Sequence, residues 1–203
     1  MRIISGKFKG KKLHQPLDNL TRPLRDMVKE AIFNFLAHSE HIKINMKEAC
    51  ILDLFSGSGS FGLECISRQA KKVVFCENYE PALRVLKKNI KSLNEVKKIE
   101  INTQDIYEML DSQNFKNRFN LIFLDPPFKE QKVNELLSLI NKSDILEKDG
   151  LIILHRNKKS KDTLNMKYDI LLEKIYGISK IYFIKFLIFN IFLVSIFINS
   201  TAG

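Results

Sequence analysis

Two stretches of this chain place chemistry-bearing residues directly after an apolar run. The first is DLFSGSGSFG, Asp53 to Gly62, with glycines at 57, 59 and 62. The second is LIFLDPPF, which ends in Asp125-Pro126-Pro127-Phe128. The glycine spacing is that of a dinucleotide-binding fingerprint, a pattern that does not by itself choose among ligands. It does imply a backbone that approaches a ligand closely at a helix start. Asp53 lies inside the run before the loop. A dinucleotide loop has no need of a carboxylate there, whereas a ligand carrying an ammonium group does. Glu77 closes the next apolar run, about twenty residues beyond Gly57, where an acid can take both ribose hydroxyls. Asp105, in TQDIYE, suits either a hydrogen bond from an adenine amine or the N-cap of a helix beginning at Ile106.

The second stretch is the more specific. Pro126 and Pro127 bring no N–H donors, and Pro126, preceding a proline, is held extended with its carbonyl aimed rigidly. The Asp125 carboxylate and that carbonyl form a pair of acceptors, and Phe128 offers a flat face for stacking. Such a site fits a planar base bearing an exocyclic amine. That amine is conjugated and poorly nucleophilic, and it gains positive charge as it attacks, so preorganised acceptors are what its transition state needs. A donor that is both sulfonium and amino acid, S-adenosylmethionine, then accounts for Asp53, and the glycine loop is expected to hold it in place of a dinucleotide. The loop lacks Gly-Lys-Ser/Thr, which removes nucleotide hydrolysis. His14, His38, His41 and His155 lack metal-ligand spacing, so surface or packing roles and no metal are expected. Cys50, Cys65 and Cys76 are expected as buried, reduced thiols.

The elements that must position these residues follow from periodicity. With 203 residues the chain is of single-domain size. Val28, Ala31, Ile32, Phe35 and Leu36 recur at helical spacing, after a start at Thr21 and Pro23. From residue 51 the pattern alternates. ILDLF, KKVVFCE, IEIN, FNLIFL and GLIILH read as strands; Phe61–Arg68, PALRVLKKNIKSL and the stretch near VNELLSLI read as helices. This predicts an α/β fold with a doubly wound, mostly parallel, Rossmann-like sheet. YDILLEKIYGISKIYFIKF has no room for a crossover helix, so it predicts an antiparallel edge hairpin turning at Gly177. Three regions result: a basic N-terminal hairpin and helix at 1–40, the main domain at 41–186, and an apolar tail at 187–203.

The net charge of +10 points to a polyanionic partner. Arg2, Lys7, Lys9, Lys11, Lys12, Arg22, Arg25 and Lys29 face only Asp18, Asp26 and Glu30 in the first thirty residues, which therefore hold half of that charge. Gly6, Phe8 and Gly10 interleave with the lysines as in a short RNA-contacting hairpin. A second basic run, Arg156, Lys158, Lys159 and Lys161, follows a predicted strand end. The opening residues do not read as a secretion leader. Lys185 and Asn190 interrupt the apolar stretch from Ile181 to Ile198, so no membrane span is expected. A cytoplasmic monomer is the expectation.

With TRPLRDMVKEAIFN, ILDLFSGSGSFGLECISRQA, VVFCENYEPALRVLKKNI, LIFLDPPF and the late YG-S turn, the chain resembles the RsmD-type methyltransferases over roughly residues 2–186. The resemblance implies a class I methyltransferase fold and methylation of the N2 amine of a guanine in small-subunit (16S) ribosomal RNA. It assigns cofactor binding to Asp53, Gly57, Gly59, Glu77 and Asp105. It assigns the base to Asp125, Pro126 and Phe128, with Pro127 beside them, and places Arg22 and Pro23 on the substrate side. The N-terminal block is the specific part, because many amine methyltransferases share the glycine loop and Asp-Pro-Pro-Phe. DNA adenine-N6 methylation is the alternative within that chemistry, and a non-catalytic RNA-binding module is the alternative outside it. Leu24 stands where the family has a small polar residue, and the tail after Phe186 runs past the family's usual end.

Overall fold

The computed structural model describes residues 1–17, 24–40, 42, 44–112, 115, 117–162, 164 and 168–187. Thr21, Arg22, Pro23, His41 and the tail from residue 188 lie outside the described residues. Element order is α1 (Asp26–His38), β1 (Cys50–Leu54), α2 (Ser60–Ser67), β2 (Lys72–Cys76), α3 (Glu80–Lys91), β3 (Ile99–Asn102), α4 (Ile106–Asp111), β4 (Phe119–Leu124), α5 (Val133–Lys142), β5 (Leu146–Asn157), β6 (Tyr168–Tyr176) and β7 (Ser179–Phe186).

The strands form one sheet in the order β3-β2-β1-β4-β5-β7-β6. The first five are parallel; β7 runs antiparallel to β5 and β6. The order reverses between β1 and β4, and this switch point opens a crevice at the carboxyl ends of the strands. Gly177 (φ +61°) turns the chain between β6 and β7, as the sequence predicts. β5 begins earlier than expected, at Leu146, because Phe119 pairs there across an irregularity in the ladder.

Period-two alternation divides the strand residues between two apolar layers. Ile51, Phe75, Leu121, Phe123, Leu151 and Ile153 face α1, α2 and α3. Leu52, Leu54, Ile122, Leu124, Ile152 and Leu154 face α4 and α5. In the first layer the rings of Phe33, Phe61 and Phe123 stack in succession, 5.3 and 4.0 Å between centroids, and tie α1 through α2 to β4.

The N-terminal segment packs onto this same layer. Ile3, Leu13 and Leu24 are buried in it, so the side chain at 24 has become a core group. Glu64, fully buried on α2, accepts hydrogen bonds from the N–H groups of Ile4 and Ser5 (2.8 and 3.0 Å) and pairs with Arg68 (2.9 Å). The fully buried Lys29 ammonium donates to the carbonyl of Arg2 (2.7 Å) and lies 3.8 Å from Glu64. Burial pulls the Lys29 pKa below its usual value, against the opposing charges of Glu64 and Asp26. A bridge between Arg2 and Lys12 closes the hairpin. Its tip rests on the C-terminal end of α2, where Lys7 N–H donates to Ser67 O (2.8 Å). Gly6 (φ +80°) approaches that backbone so closely that a Cβ would overlap Ser67 O.

Candidate active site

The loop after β1 turns sharply to begin α2. Phe55, Gly57 and Gly59 hold φ of +59°, +57° and +81°. Non-glycine residues rarely accept such angles, so Phe55 marks a backbone held by its surroundings. The Ser56 hydroxyl donates to Asp53 O (2.7 Å), and its N–H donates to Cys76 O (3.0 Å). A Cβ at Gly62 would overlap the Phe75 ring and stand 2.9 Å from Asp53 Oδ2, so only glycine fits the α2–β2 contact. A Cβ at Gly57 would meet nothing within 4 Å, so the space beside that residue is open.

Two carboxylates are fixed by this turn. Asp53 is almost wholly buried and accepts from Gly62 N–H (3.0 Å). Glu77 accepts from Gly57 N–H (2.7 Å) and Tyr79 N–H (2.8 Å). Burial raises the Asp53 pKa well above the ordinary carboxylate value; the Gly62 N–H works against this, while the negative charges of Asp125 and Glu77 add to it. Glu77 is also raised, by burial, with the N–H groups of Tyr79, Gly57 and Asn78 opposing. Among the described residues no group of three acids, histidines or cysteines could hold a metal ion. Carboxylates crowded in this way favour a positively charged ligand.

Across the switch point, Asp125 follows β4 and its N–H donates to Leu54 O (3.3 Å). Pro126 is buried, Pro127 exposed, and Asp125 and Phe128 half-buried. Two residues at the end of β5 hold this loop. His155 Nδ1 lies 2.7 Å from Asp125 Oδ1, and its Nε2 lies 2.9 Å from the Ser179 hydroxyl. The Phe128 ring stands edge-on to the imidazole, 5.9 Å between centroids at 74°. Arg156 donates to Pro127 O (3.1 Å) and Glu130 O (2.6 Å), and grips both oxygens of Asp162 (2.8 and 3.0 Å).

The structure thus brings Asp53, Gly57, Gly59, Glu77, Asp125, Pro126 and Phe128 to one end of the sheet. Two expectations change. His155 has more than a packing role, because it bonds the Asp125 carboxylate. Arg156 stands apart from the rest of the second basic run and is not open to a polyanionic partner, because its side chain is 2% exposed and clamps the 127–130 backbone. Spacing alone gave no sign of either interaction, although a His-Arg pair closing an apolar strand next to the switch point was a usable hint. Asp105 caps α4, accepting from Tyr107 and Glu108 N–H (2.9 and 3.2 Å). Of the hairpin lysines, Lys7 pairs with Glu95 (2.6 Å) and Lys11 bonds Ser92 O, while Lys9 and Lys12 are exposed. An apolar cavity of about 50 Å³ between Ile32, Phe35, Leu172 and Phe183 lies apart from these groups.

This geometry sits within a known family. The family model described as Conserved hypothetical protein 95 matches residues 1–185. The chain belongs to this family, the RsmD family. It is 35% identical to ribosomal RNA small subunit methyltransferase D of Haemophilus influenzae, covering 88% of this chain and 90% of that protein. A solved Haemophilus influenzae structure assigned as a methylase superposes with a TM-score of 0.71 at 33% identity, over 92% of this chain and 98% of that one. An Escherichia coli structure assigned as a methyltransferase superposes with a TM-score of 0.75 at 27% identity, over 92% and 97%.

Proposed function

We propose that this RsmD-family protein transfers a methyl group from S-adenosylmethionine to the exocyclic N2 amine of a guanine in 16S ribosomal RNA. One observation carries the reading: a half-buried Asp125 carboxylate stands at the end of β4, beside β1 at the switch point and close enough to Asp53 for their charges to interact, and shares His155 with the Phe128 ring. The relatives named as small-subunit ribosomal RNA methyltransferases support the substrate class, and the resemblance supplies the guanine amine.

The residues fit the cofactor. The open space at Gly57 admits a close ligand, and the crowded carboxylates Asp53 and Glu77 suit its positive charge and ribose hydroxyls. When bound, S-adenosylmethionine supplies an activated methyl group on a sulfonium, so no protein nucleophile is required. Asp125 accepts a hydrogen bond from the target amine and opposes the positive charge that grows on its nitrogen. Phe128 stacks on the flipped base, an interaction worth about 1–3 kcal/mol. The prolines keep competing N–H donors out of the acceptor pair. Asp105, engaged at the α4 N-terminus, and Arg22 and Pro23 before α1 are proposed to complete the cofactor and RNA sides.

The test is a methyl-acceptor assay with labelled donor, offering deproteinised ribosomal RNA, small ribosomal subunits and DNA, followed by nucleoside analysis. Label in N2-methylguanosine from RNA is expected. Label entering DNA alone, as N6-methyladenine, overturns the proposal. Cofactor binding without turnover on any substrate identifies a non-catalytic RNA-binding module instead. Asp53→Ala is expected to abolish cofactor binding before any RNA is involved.

A further inference from the structure

The acceptor carboxylate of the proposed site is itself held by a buried polar chain from a different part of the sheet. His155, 5% exposed near the end of β5, reaches Asp125 Oδ1 at 2.7 Å through Nδ1. Ser179, 4% exposed at the start of β7, lies 2.9 Å from Nε2 on the other side of the ring. The register places the two strands so that this can happen: Asn157 pairs with Ser179, and His155 with Ile181. The Phe128 ring closes the remaining side edge-on. An exposed surface pair would give little orientation, but a buried, doubly bonded imidazole has one rotamer and one direction.

We propose that His155, steadied by Ser179, is a positioning residue for Asp125. Its Nδ1–H occupies Oδ1 and thereby reserves Oδ2 for the target amine. This rests on the methyl-transfer reading above and deepens it, because it states which carboxylate oxygen meets the base and what fixes it. The arrangement resembles a serine-histidine-acid triad, but Ser179 is buried and turned into the sheet, so it serves the ring as a partner and is no nucleophile. By analogy with the partners that orient metal-ligating side chains, whose loss costs roughly 10–100-fold, removal of His155 is expected to lower activity on that order.

A positioning imidazole makes the site sensitive to pH. The groups facing it are Asp125 from the end of β4, Ser179 from β7, and the neighbouring Arg156 with its Asp162 partner. Burial works to lower the His155 pKa, but the charge and hydrogen bond of Asp125 outweigh it, Arg156 notwithstanding, and the net shift is upward from 6.5. Protonated His155 blunts the usefulness of Asp125 by pairing with its charge. Neutral His155 keeps the orienting bond and leaves the charge for the amine. Single-turnover methylation should therefore rise with pH through a limb above 6.5 and then level. In stability the sign is opposite. A raised histidine pKa stabilises the fold fully below about 6.5, and this contribution is lost as pH rises through the folded-state value.

The test uses His155→Asn, whose amide can still donate to Asp125 but does not titrate, with His155→Ala and Ser179→Ala. Single-turnover methylation of small-subunit ribosomal RNA is followed from pH 6 to 9, with cofactor titration and thermal melting of each variant. His155→Asn is expected to lose the acidic limb and stay within about tenfold of the wild-type plateau, and His155→Ala to fall roughly 10–100-fold with cofactor affinity unchanged. A wild-type plateau rate in His155→Ala, or an intact acidic limb in His155→Asn, overturns the proposal. A readout independent of turnover is the imidazole titration of His155 followed by NMR in cofactor-free protein. Asp125→Asn should bring that pKa down, and an unmoved titration overturns the proposal even if no substrate is methylated. Absence of turnover in the wild type counts against the proposed function alone.

Discussion

The loops after β1 and after β4 stand side by side at the switch point, yet they are held by different means. The β1 loop is held by its own turn and by the end of β2, where Cys76 O accepts from Ser56 N–H and Glu77 from Gly57 N–H. Asp53 bonds Gly62, Ser56 bonds Asp53, and Gly59 N–H donates to Ser56 O (2.8 Å). The β4 loop has one backbone turn of its own, Glu130 N–H to Pro127 O (2.8 Å), and is otherwise gripped by side chains from farther along the chain. Its grip comes from His155 and Arg156, some thirty residues later, and through them from Asp162 and Ser179. The β1 loop needs its glycine turn and the adjacent end of β2. The β4 loop takes its clamp from side chains that come into place only with β5 and β7, so folding and assembly of this end of the sheet are coupled.

Removing Arg156 should break this contrast most sharply. Its guanidinium is buried with Asp162 and holds two backbone carbonyls of the 127–130 segment. Arg156→Ala leaves a buried carboxylate without its partner, which costs about 3–5 kcal/mol. Denaturant unfolding should show that loss, and cofactor affinity in the folded fraction should remain near wild type because the β1 loop's hydrogen bonds to Asp53, Cys76 and Glu77 do not run through Arg156. Unchanged stability would show that the β4 loop needs no clamp. Asp125→Ala is next. Loss of one preorganised group costs on the order of 3 kcal/mol, a hundredfold or more in rate, with RNA binding affected less than turnover. Single-turnover kinetics decide it: a wild-type rate removes Asp125 from the chemistry.

Gly62→Ala probes the other loop. The added methyl would overlap the Phe75 ring and stand 2.9 Å from Asp53 Oδ2, an overpacking cost of roughly 1–3 kcal/mol. Cofactor titration should weaken in step with the melting temperature, while His155 keeps its wild-type titration because the β4 loop is untouched. If cofactor affinity is unaltered, the Asp53–Gly62 hydrogen bond does not shape the cofactor side.

The same contrast explains what was legible in the residues alone. The alternation of strands and helices, the edge hairpin and the residues of the β1 loop follow from short-range signals: glycines, apolar runs and a proline at a helix start. The place of Asp125 and Phe128 just past a strand end was readable because prolines are excluded from a core strand. The partners of His155, Arg156 and Lys29 were not, because the apolar strand before the His-Arg pair hints at burial but says nothing of what the side chains meet. Their burial is decided by which strands or helices lie beside them. The sheet places Ser179 and Asp125 around His155, and α2 brings Glu64 to Lys29. Asp105 admitted two readings, and its capping bonds use Oδ1.

The smallest effect concerns the basic hairpin, whose lysines are proposed to position RNA through phosphates without choosing the base. The hairpin tip packs on the far end of α2, an eight-residue helix about 12 Å long, with the glycine loop at its other end. Within the quartet, Lys7 is committed to Glu95 and Lys11 to Ser92 O, whereas Lys9 and Lys12 project to solvent. Neutralising all four should weaken RNA binding and flatten its salt dependence, by about 0.7–0.9 in the log–log slope for each phosphate that is no longer neutralised. Dividing the quartet sharpens the test. Lys9 and Lys12 changed to Gln should account for most of the change in slope, because the other two already have partners. Cofactor affinity should not move in either variant, since none of these side chains bonds the β1 loop. Binding isotherms at several salt concentrations measure the slope directly. An unaltered slope in the quadruple variant would show that the hairpin is a solvated face and that RNA is gripped elsewhere, nearer the β4 loop.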